Sequence, residues 1–204
     1  MTSARAHWDA VWSSKKPEEV SWFQESAAPS LETIRRLVPD RAARVVDVGG
    51  GASRLVDALL DDGYLNLTVV DIAAPALDSA RARLGARASR VEWIVGDALD
   101  HRPAQRYRLW HDRAMLHFLQ SGDDVARYRA ALDRSLEPGG FAVIATFAMD
   151  GPARCSNLDV RRYDAGAIAE AFAPAFQVID DRPQAHRTPW GAEQRFRWFT
   201  LARR

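Results

Sequence analysis

A glycine turn and a series of acids are the residues whose types and spacing bear most directly on chemistry. Gly49-Gly50-Gly51 follows the β-branched run Val45-Val46-Asp47-Val48 and leads into Arg54–Leu60, which reads as a helix. Glycine takes positive φ freely and lets a ligand approach the backbone. A glycine turn feeding a helix start is a nucleotide-binding device. It also closes ordinary βα units, so alone it leaves both readings open. Ser53 is placed to cap the helix. Asp47, Asp71, Asp97 and Asp112 each lie within or close an apolar stretch. An ionised carboxylate only accepts hydrogen bonds, so acids in this pattern suit a ligand rich in donor groups.

These residues need a scaffold that brings them together. Arg44–Val48, Asn66–Asp71, Arg90–Asp97, Tyr107–Asp112 and Phe141–Phe147 read as strands. Helices are expected over 54–60, over 75–84 behind Pro75, and over 123–137. In the last, Val125, Tyr128, Leu132 and Leu136 recur at spacings of three and four. Pro138-Gly139-Gly140 is expected to end it, and the polar link 98–106, with Pro103, holds at most a vestigial helix. Alternating βα units imply a parallel sheet with helices on both faces, and ligands bind at the carboxyl ends of its strands. Gly49, Asp71, Asp97, Asp112 and Ala148 all fall there. After the loop 148–162, Asp164 caps helix 165–172. Ala175–Asp181 and Gln194–Arg203 follow as two strands joined by the loop 182–194, and their simplest pairing is antiparallel.

Ahead of the first strand, Trp8 and Trp12 stand four apart and share a face if residues 5–14 are helical. That face either packs on the domain or forms an aromatic lid. Ser30 is expected to cap a helix ending before Pro39. The expectation is a single domain over 1–204, with 1–40 a helical lid segment and 41–204 the α/β core.

The composition narrows the class. With 28 basic against 27 acidic residues, the net charge is +1, so no global field attracts nucleic acid or an anionic membrane. Lys15 and Lys16 are the only lysines; the arginines are scattered among acids, as on a solvated surface. A single cysteine, Cys155, excludes an internal disulfide and a multi-cysteine metal site. No apolar run approaches a transmembrane length and the N-terminus lacks a signal-peptide segment, so a cytoplasmic location is expected.

A dinucleotide fold and an S-adenosylmethionine fold share the glycine turn and the acid after the second strand. Four features favour the latter. Asp47 lies two residues before the first glycine, where it can orient the turn or meet a ligand ammonium through water. Asp97-Ala98 offers an acid plus a backbone N–H, suited to an adenine amino group and ring nitrogen. The chain closes on an antiparallel pair, and no second domain is present for a hydride acceptor.

Val45–Ser53 resembles the first motif of the class I S-adenosylmethionine-dependent methyltransferases. Asp71-Ile72, Asp97-Ala98 and Leu136–Phe141 resemble later motifs of that superfamily, and Trp8–Trp12 an N-terminal aromatic pair found in several branches. Ser53 departs from the pattern, where a third glycine is common. The resemblance implies a Rossmann-like, doubly wound seven-stranded sheet with the last strand antiparallel, and S-adenosylmethionine as cofactor. Gly49 and Gly51 would pass beside its aminoacyl part, and Asp71 would accept both ribose hydroxyls. Ile72 would cover the adenine, and Asp97 would accept from its amino group. Trp8 and Trp12 would close over the sulfonium, and Arg113 would lie at the end of the fourth strand beneath the reacting methyl.

Methyl transfer from a sulfonium is an in-line displacement, and a base is needed only if the acceptor must lose a proton. His186, His117 and Asp150 are the candidate catalytic groups. Trp22, Cys155, Tyr163 and Arg187 are candidate acceptor contacts. Asp112 and Asp150 supply too few acids for a metal-assisted reaction, and no metal is expected. The expected activity is methyl transfer to a small-molecule acceptor. A protein lysine as acceptor and a non-catalytic cofactor-binding protein are the alternatives.

Overall fold

The computed structural model describes residues 4–204. Helices α1 (Ala4–Ser14) and α2 (Ala28–Leu37) precede a regular alternation. Its members are β1 (Arg44–Val48), α3 (Leu55–Asp61), β2 (Asn66–Asp71), α4 (Ala74–Leu84), β3 (Val91–Val95), β4 (Tyr107–Arg113), α5 (Gly122–Ser135) and β5 (Leu136–Phe147). A small two-stranded ribbon of β6 (Arg154–Cys155) and β7 (Leu158–Asp159) follows. The described chain ends with α6 (Ala165–Phe172), β8 (Phe176–Arg187) and β9 (Glu193–Arg203).

The main sheet has seven strands in the order β3-β2-β1-β4-β5-β9-β8. The first five run parallel; β9 is antiparallel to both β5 and β8. The central strands are apolar on both faces because helices cover both. Val45, Leu109, Val143 and Ala145 point into a core shared with Ile34 of α2 and Leu55 and Leu59 of α3. Val46, Val48, Trp110 and Ile144 point the other way, towards Tyr128 and Leu132 of α5 and Phe172 of α6. Val46 and Val48 are wholly buried, each contributing about 1.5–3 kcal/mol.

Three details differ from the sequence expectation. β5 starts at Leu136 and runs through Pro138-Gly139-Gly140, with its pairing to β4 shifted between Tyr107 and Leu109. β8 continues to Arg187, so most of the expected loop 182–194 is hairpin, with His186 paired opposite Gln194. Pro183 fits because β8 is the sheet edge, where a missing N–H need face no partner strand. Finally, α2 begins at Ala28 with Pro29 in its first turn, and Ser30 lies buried inside it without capping it. Asp164 caps α6 by accepting from Ala167 N–H at 2.8 Å, as expected.

Candidate active site

The glycine turn is tight, and a Cβ at any of its three positions would crowd a neighbour. Gly49 N–H donates to Val70 C=O at 2.8 Å, tying the end of β1 to β2. Gly49 and Gly51 have φ of +62° and +48°, and a Cβ on Gly50 would stand 2.7 Å from Asp47 Oδ2. Ser53 Oγ accepts from Leu55 N–H at 3.1 Å, so it serves the start of α3 although Arg54 occupies the cap position. Arg83 of α4 fastens the turn from outside, donating to Ala52 C=O at 2.9 Å and Ser53 C=O at 2.7 Å.

Each acid is held in a different way. Asp71 Oδ1 accepts from Ala73 N–H at 2.8 Å. Burial raises its pKa to about 6 against the opposing pull of the Ala73 and Gly51 N–H groups. Asp97 Oδ1 accepts from Leu99 N–H at 2.9 Å. Asp112 is fully buried and accepts from Met115 N–H, Leu116 N–H and the Tyr128 hydroxyl, at 2.8, 3.0 and 2.8 Å. Burial raises it too, to about 6. It ties β4 to the turn that follows and does not face the ligand space. Asp47 Oδ1 meets His111 Nδ1 at 2.7 Å, and His111 Nε2 lies 3.0 Å from Ser30 Oγ.

These strand ends open on a cavity of about 340 Å³, within the size range of small-molecule sites. Asp71, Ile72, Asp97 and Ala98 form one wall, with Gly49 at its inner end. Trp8 and Trp12 of α1 and Trp22 line the cavity too, with Trp12 Cζ2 and Asp71 Oδ2 both close to Gly51. The rings meet edge to face: Trp8 with Phe118 at 4.9 Å and with Trp22 at 5.9 Å, Trp12 with Trp22 at 6.1 Å. Such pairs add about 0.5–1.5 kcal/mol beyond burial. Cys155 and Arg113 complete the lining, and burial raises the Cys155 thiol above its usual range. A smaller pocket, lined by Asp47, Gly49, Arg54, His111 and Arg113 among others, adjoins the turn. Asp47 therefore faces this pocket, and its partner His111 holds it there.

Five residues singled out from the sequence lie outside both cavities. His186 is buried and bonds through Nε2 to Ser21 C=O at 2.7 Å, because β8 extends far enough to carry it under the Trp22 segment. His117 is wholly buried between Phe118 and Phe147, ring centres 4.4 and 4.8 Å away, and neither ring nitrogen has a partner. Burial and nearby Arg113 drive its pKa down to about 3, so it stays neutral. Asp150 is exposed, its side chain 62% accessible, and paired with Arg195 at 2.8 Å. Tyr163 is buried in the α5–α6 core. Arg187 is exposed near the hairpin tip, where Nε reaches Gly191 C=O at 3.4 Å.

Other lining residues carry no sequence signal. Met115, Phe118 and Leu119 line the cavity, yet read as an ordinary apolar run. Ala114, also in the wall, has φ of 74° without being a glycine, a conformation that costs an L-residue about 1–2 kcal/mol. Among the described residues no group of three or more His, Cys, Asp or Glu side chains is arranged to hold a metal ion, and no helix is long and apolar enough to cross a membrane.

Residues 45–140 match a family model described as a methyltransferase domain. No curated protein matches the chain in sequence. Among solved structures, one described as the conversion of a disulfide bond into a thioacetal group during echinomycin biosynthesis is similar, with TM-score 0.79 and 20% identity. The match covers 98% of this chain and 92% of that one. A SAM-dependent methyltransferase from Anabaena variabilis gives TM-score 0.78 at 13% identity, over 100% and 96% of the two chains. The 1,6-didemethyltoxoflavin-N1-methyltransferase of Burkholderia thailandensis, solved with its substrate and S-adenosylhomocysteine, gives 0.69 at 23%, over 98% and 84%.

Proposed function

We propose that this chain is an S-adenosylmethionine-dependent methyltransferase of the class I fold, in keeping with the methyltransferase-domain match over residues 45–140 and the shared fold, and that its acceptor is a small molecule bound inside the tryptophan-lined cavity. The observation that carries this is the cavity itself: about 340 Å³, lined by Asp71 and Asp97 together with three indoles. S-adenosylmethionine supplies a methyl group on a cationic sulfonium.

The residues present suit that group. Asp71 Oδ1 is engaged by the Ala73 N–H, and its second oxygen points towards Gly51, where a Cβ would stand 3.2 Å away. It is thus placed to accept hydroxyl donors from a ribose. Asp97, Ala98 and Ile72 line the same cavity, and an acid, a backbone N–H and an apolar side chain suit an adenine. The indole faces attract a cation by about 0.5–2 kcal/mol each. Holding donor and acceptor in line is the main task of this chain, and it supplies up to about 7–11 kcal/mol at the ideal limit.

A lysine acceptor finds less support. Asp112 and Asp150 do not offer it a cage, since Asp112 is committed to backbone N–H groups and Asp150 to Arg195. The Burkholderia structure holds bound 1,6-didemethyltoxoflavin, which accords with the small-molecule reading. Titration calorimetry with S-adenosylmethionine and S-adenosylhomocysteine tests donor binding, and binding to neither would overturn the reading. Radiolabelled methyl transfer into a cell extract then separates acceptors. Label in the small-molecule fraction is expected, and label in protein alone would overturn it.

A further inference from the structure

Arg113 is half-buried, and its charge has no carboxylate of its own. It ends β4, Nη1 donates to Trp22 C=O at 2.8 Å, and its guanidinium carbon lies 5.0 Å from the centre of the Phe196 ring. Nε and Nη2 are shielded from solvent and have no hydrogen-bond partner. These two N–H groups form one edge of the planar guanidinium, and that edge matches both oxygens of a carboxylate. The chain uses the same edge so elsewhere. Arg197 grips Asp181 with Nε and Nη2 at 2.5 and 2.6 Å, and Arg83 grips Asp57 at 3.1 and 2.6 Å.

Among the described residues, no acid does this for Arg113. Asp47 is the carboxylate whose charge favours the guanidinium, but its Oδ1 is taken by His111 at 2.7 Å. Burial pulls the Arg113 pKa down to about 10, which still leaves it charged at neutral pH. A buried donor left unpaired costs about 1–3 kcal/mol, and a buried charge calls for a partner. Arg113 lines both cavities, so a ligand that draws the shielded edge towards either one can supply that partner.

We propose that the Nε–Nη2 edge of Arg113 seats a carboxylate of the methyl acceptor, which makes the acceptor a small carboxylic acid with an apolar or aromatic body. This rests on the methyltransferase reading. The main cavity beside Arg113 is lined by Trp22, Phe118, Cys155 and Leu158, which suits such a body. His186, His117 and Asp150 do not reach the cavity, so the wall lacks those bases and presents a cation instead. An acceptor that arrives already ionised fits that wall. The donor carries a carboxylate too, and the same edge would suit it; the test separates the two sources.

Calorimetry on the wild-type protein saturated with S-adenosylhomocysteine would compare benzoate, phenylacetate and 3-phenylpropionate with their amides. At least tenfold tighter binding of the acids is expected. R113K keeps the charge and loses the fork, and should erase that preference while changing S-adenosylhomocysteine affinity less than threefold. Equal binding of acids and amides to the wild type would overturn the proposal without any variant. It would also be overturned if R113K weakened S-adenosylhomocysteine strongly but left S-adenosyl-3-thiopropylamine, which lacks the carboxylate, unaffected; the edge would then belong to the donor. Failure of S-adenosylhomocysteine to bind the wild type would overturn the donor reading itself, a distinct result.

Discussion

His111 and Asp47 face each other across adjacent parallel strands, Nδ1 to Oδ1 at 2.7 Å, in register and shielded from water. Since Asp47 is the acceptor, Nδ1 carries the proton, and Nε2 can accept from the Ser30 hydroxyl 3.0 Å away. One imidazole thus joins β1, β4 and α2 beneath the glycine turn. Replacing His111 with alanine leaves the Asp47 carboxylate buried without this donor. A stability loss of about 1–3 kcal/mol is expected, read from urea unfolding midpoints, and His111→Asn, which keeps a donor, should recover part of it. An unchanged midpoint in His111→Ala would show the contact to be dispensable.

With Asp71 in the proposed donor site, donor binding should depend on pH. Burial raises its pKa from 3.8 to about 6, while ribose hydroxyls would donate to the ionised form. Donor affinity should therefore fall roughly tenfold per pH unit below about 6, with one proton released on binding. Calorimetry from pH 5 to 8 in two buffers of different ionisation enthalpy measures both, and Asp71→Asn should flatten the profile. The free protein shows the opposite sign. A raised folded-state pKa means the folded chain holds the proton more tightly than the unfolded one. Asp71 and Asp112, each raised to about 6, thus contribute stability that is full below about pH 3.8 and fades as pH rises through 6. Thermal unfolding between pH 4 and 7 checks this against Asp71→Asn.

Gly51→Ala joins two penalties. The residue has φ of +48°, and a Cβ would stand 3.2 Å from Asp71 Oδ2 and 3.4 Å from Trp12 Cζ2. The backbone strain costs about 1–2 kcal/mol, and both neighbours belong to the proposed donor site. Lowered melting temperature together with at least tenfold weaker S-adenosylhomocysteine binding is expected. Unchanged binding would remove the turn from the donor site.

His186→Ala should act on stability and leave the chemistry's pH response alone. Its bond to Ser21 C=O secures the segment that carries Trp22, and losing it costs about 0.5–1.5 kcal/mol. Burial and Arg113 lower the His186 pKa, against the opposing Ser21 contact, which suits a neutral structural ring. The pH–rate profile should keep its shape in the variant. Loss of one limb would restore His186 as a base.

The fold and the acids and glycine turn that line the cavity are legible in the sequence because their signals are local. An acid after a β-branched run has little choice but a strand end, and three glycines in a row between strand and helix leave one turn. The rest of the lining depends on contacts distant along the chain. Ser30 and His111 are 81 positions apart, and Ser30, with Pro29 beside it, reads as a helix start. Pro183 reads as a loop marker, and only the edge position of β8 lets a strand pass through it, which moves His186 out of the expected pocket. Asp112 shows the limit of the strand-end rule: it sits where the others do and turns its carboxylate to Tyr128 and two backbone amides.

β4 carries opposite chemistry on alternate residues. Trp110 and Asp112 face the α5 side, and His111 and Arg113 face the other. The electrical sign of the cavity wall is therefore a matter of parity. Slipping β4 by one residue would exchange the faces of its side chains and set an acid where the guanidinium now stands. The pairing of Asp47 with His111 opposes that slip, so the contact that steadies the turn also keeps the polarity of the pocket.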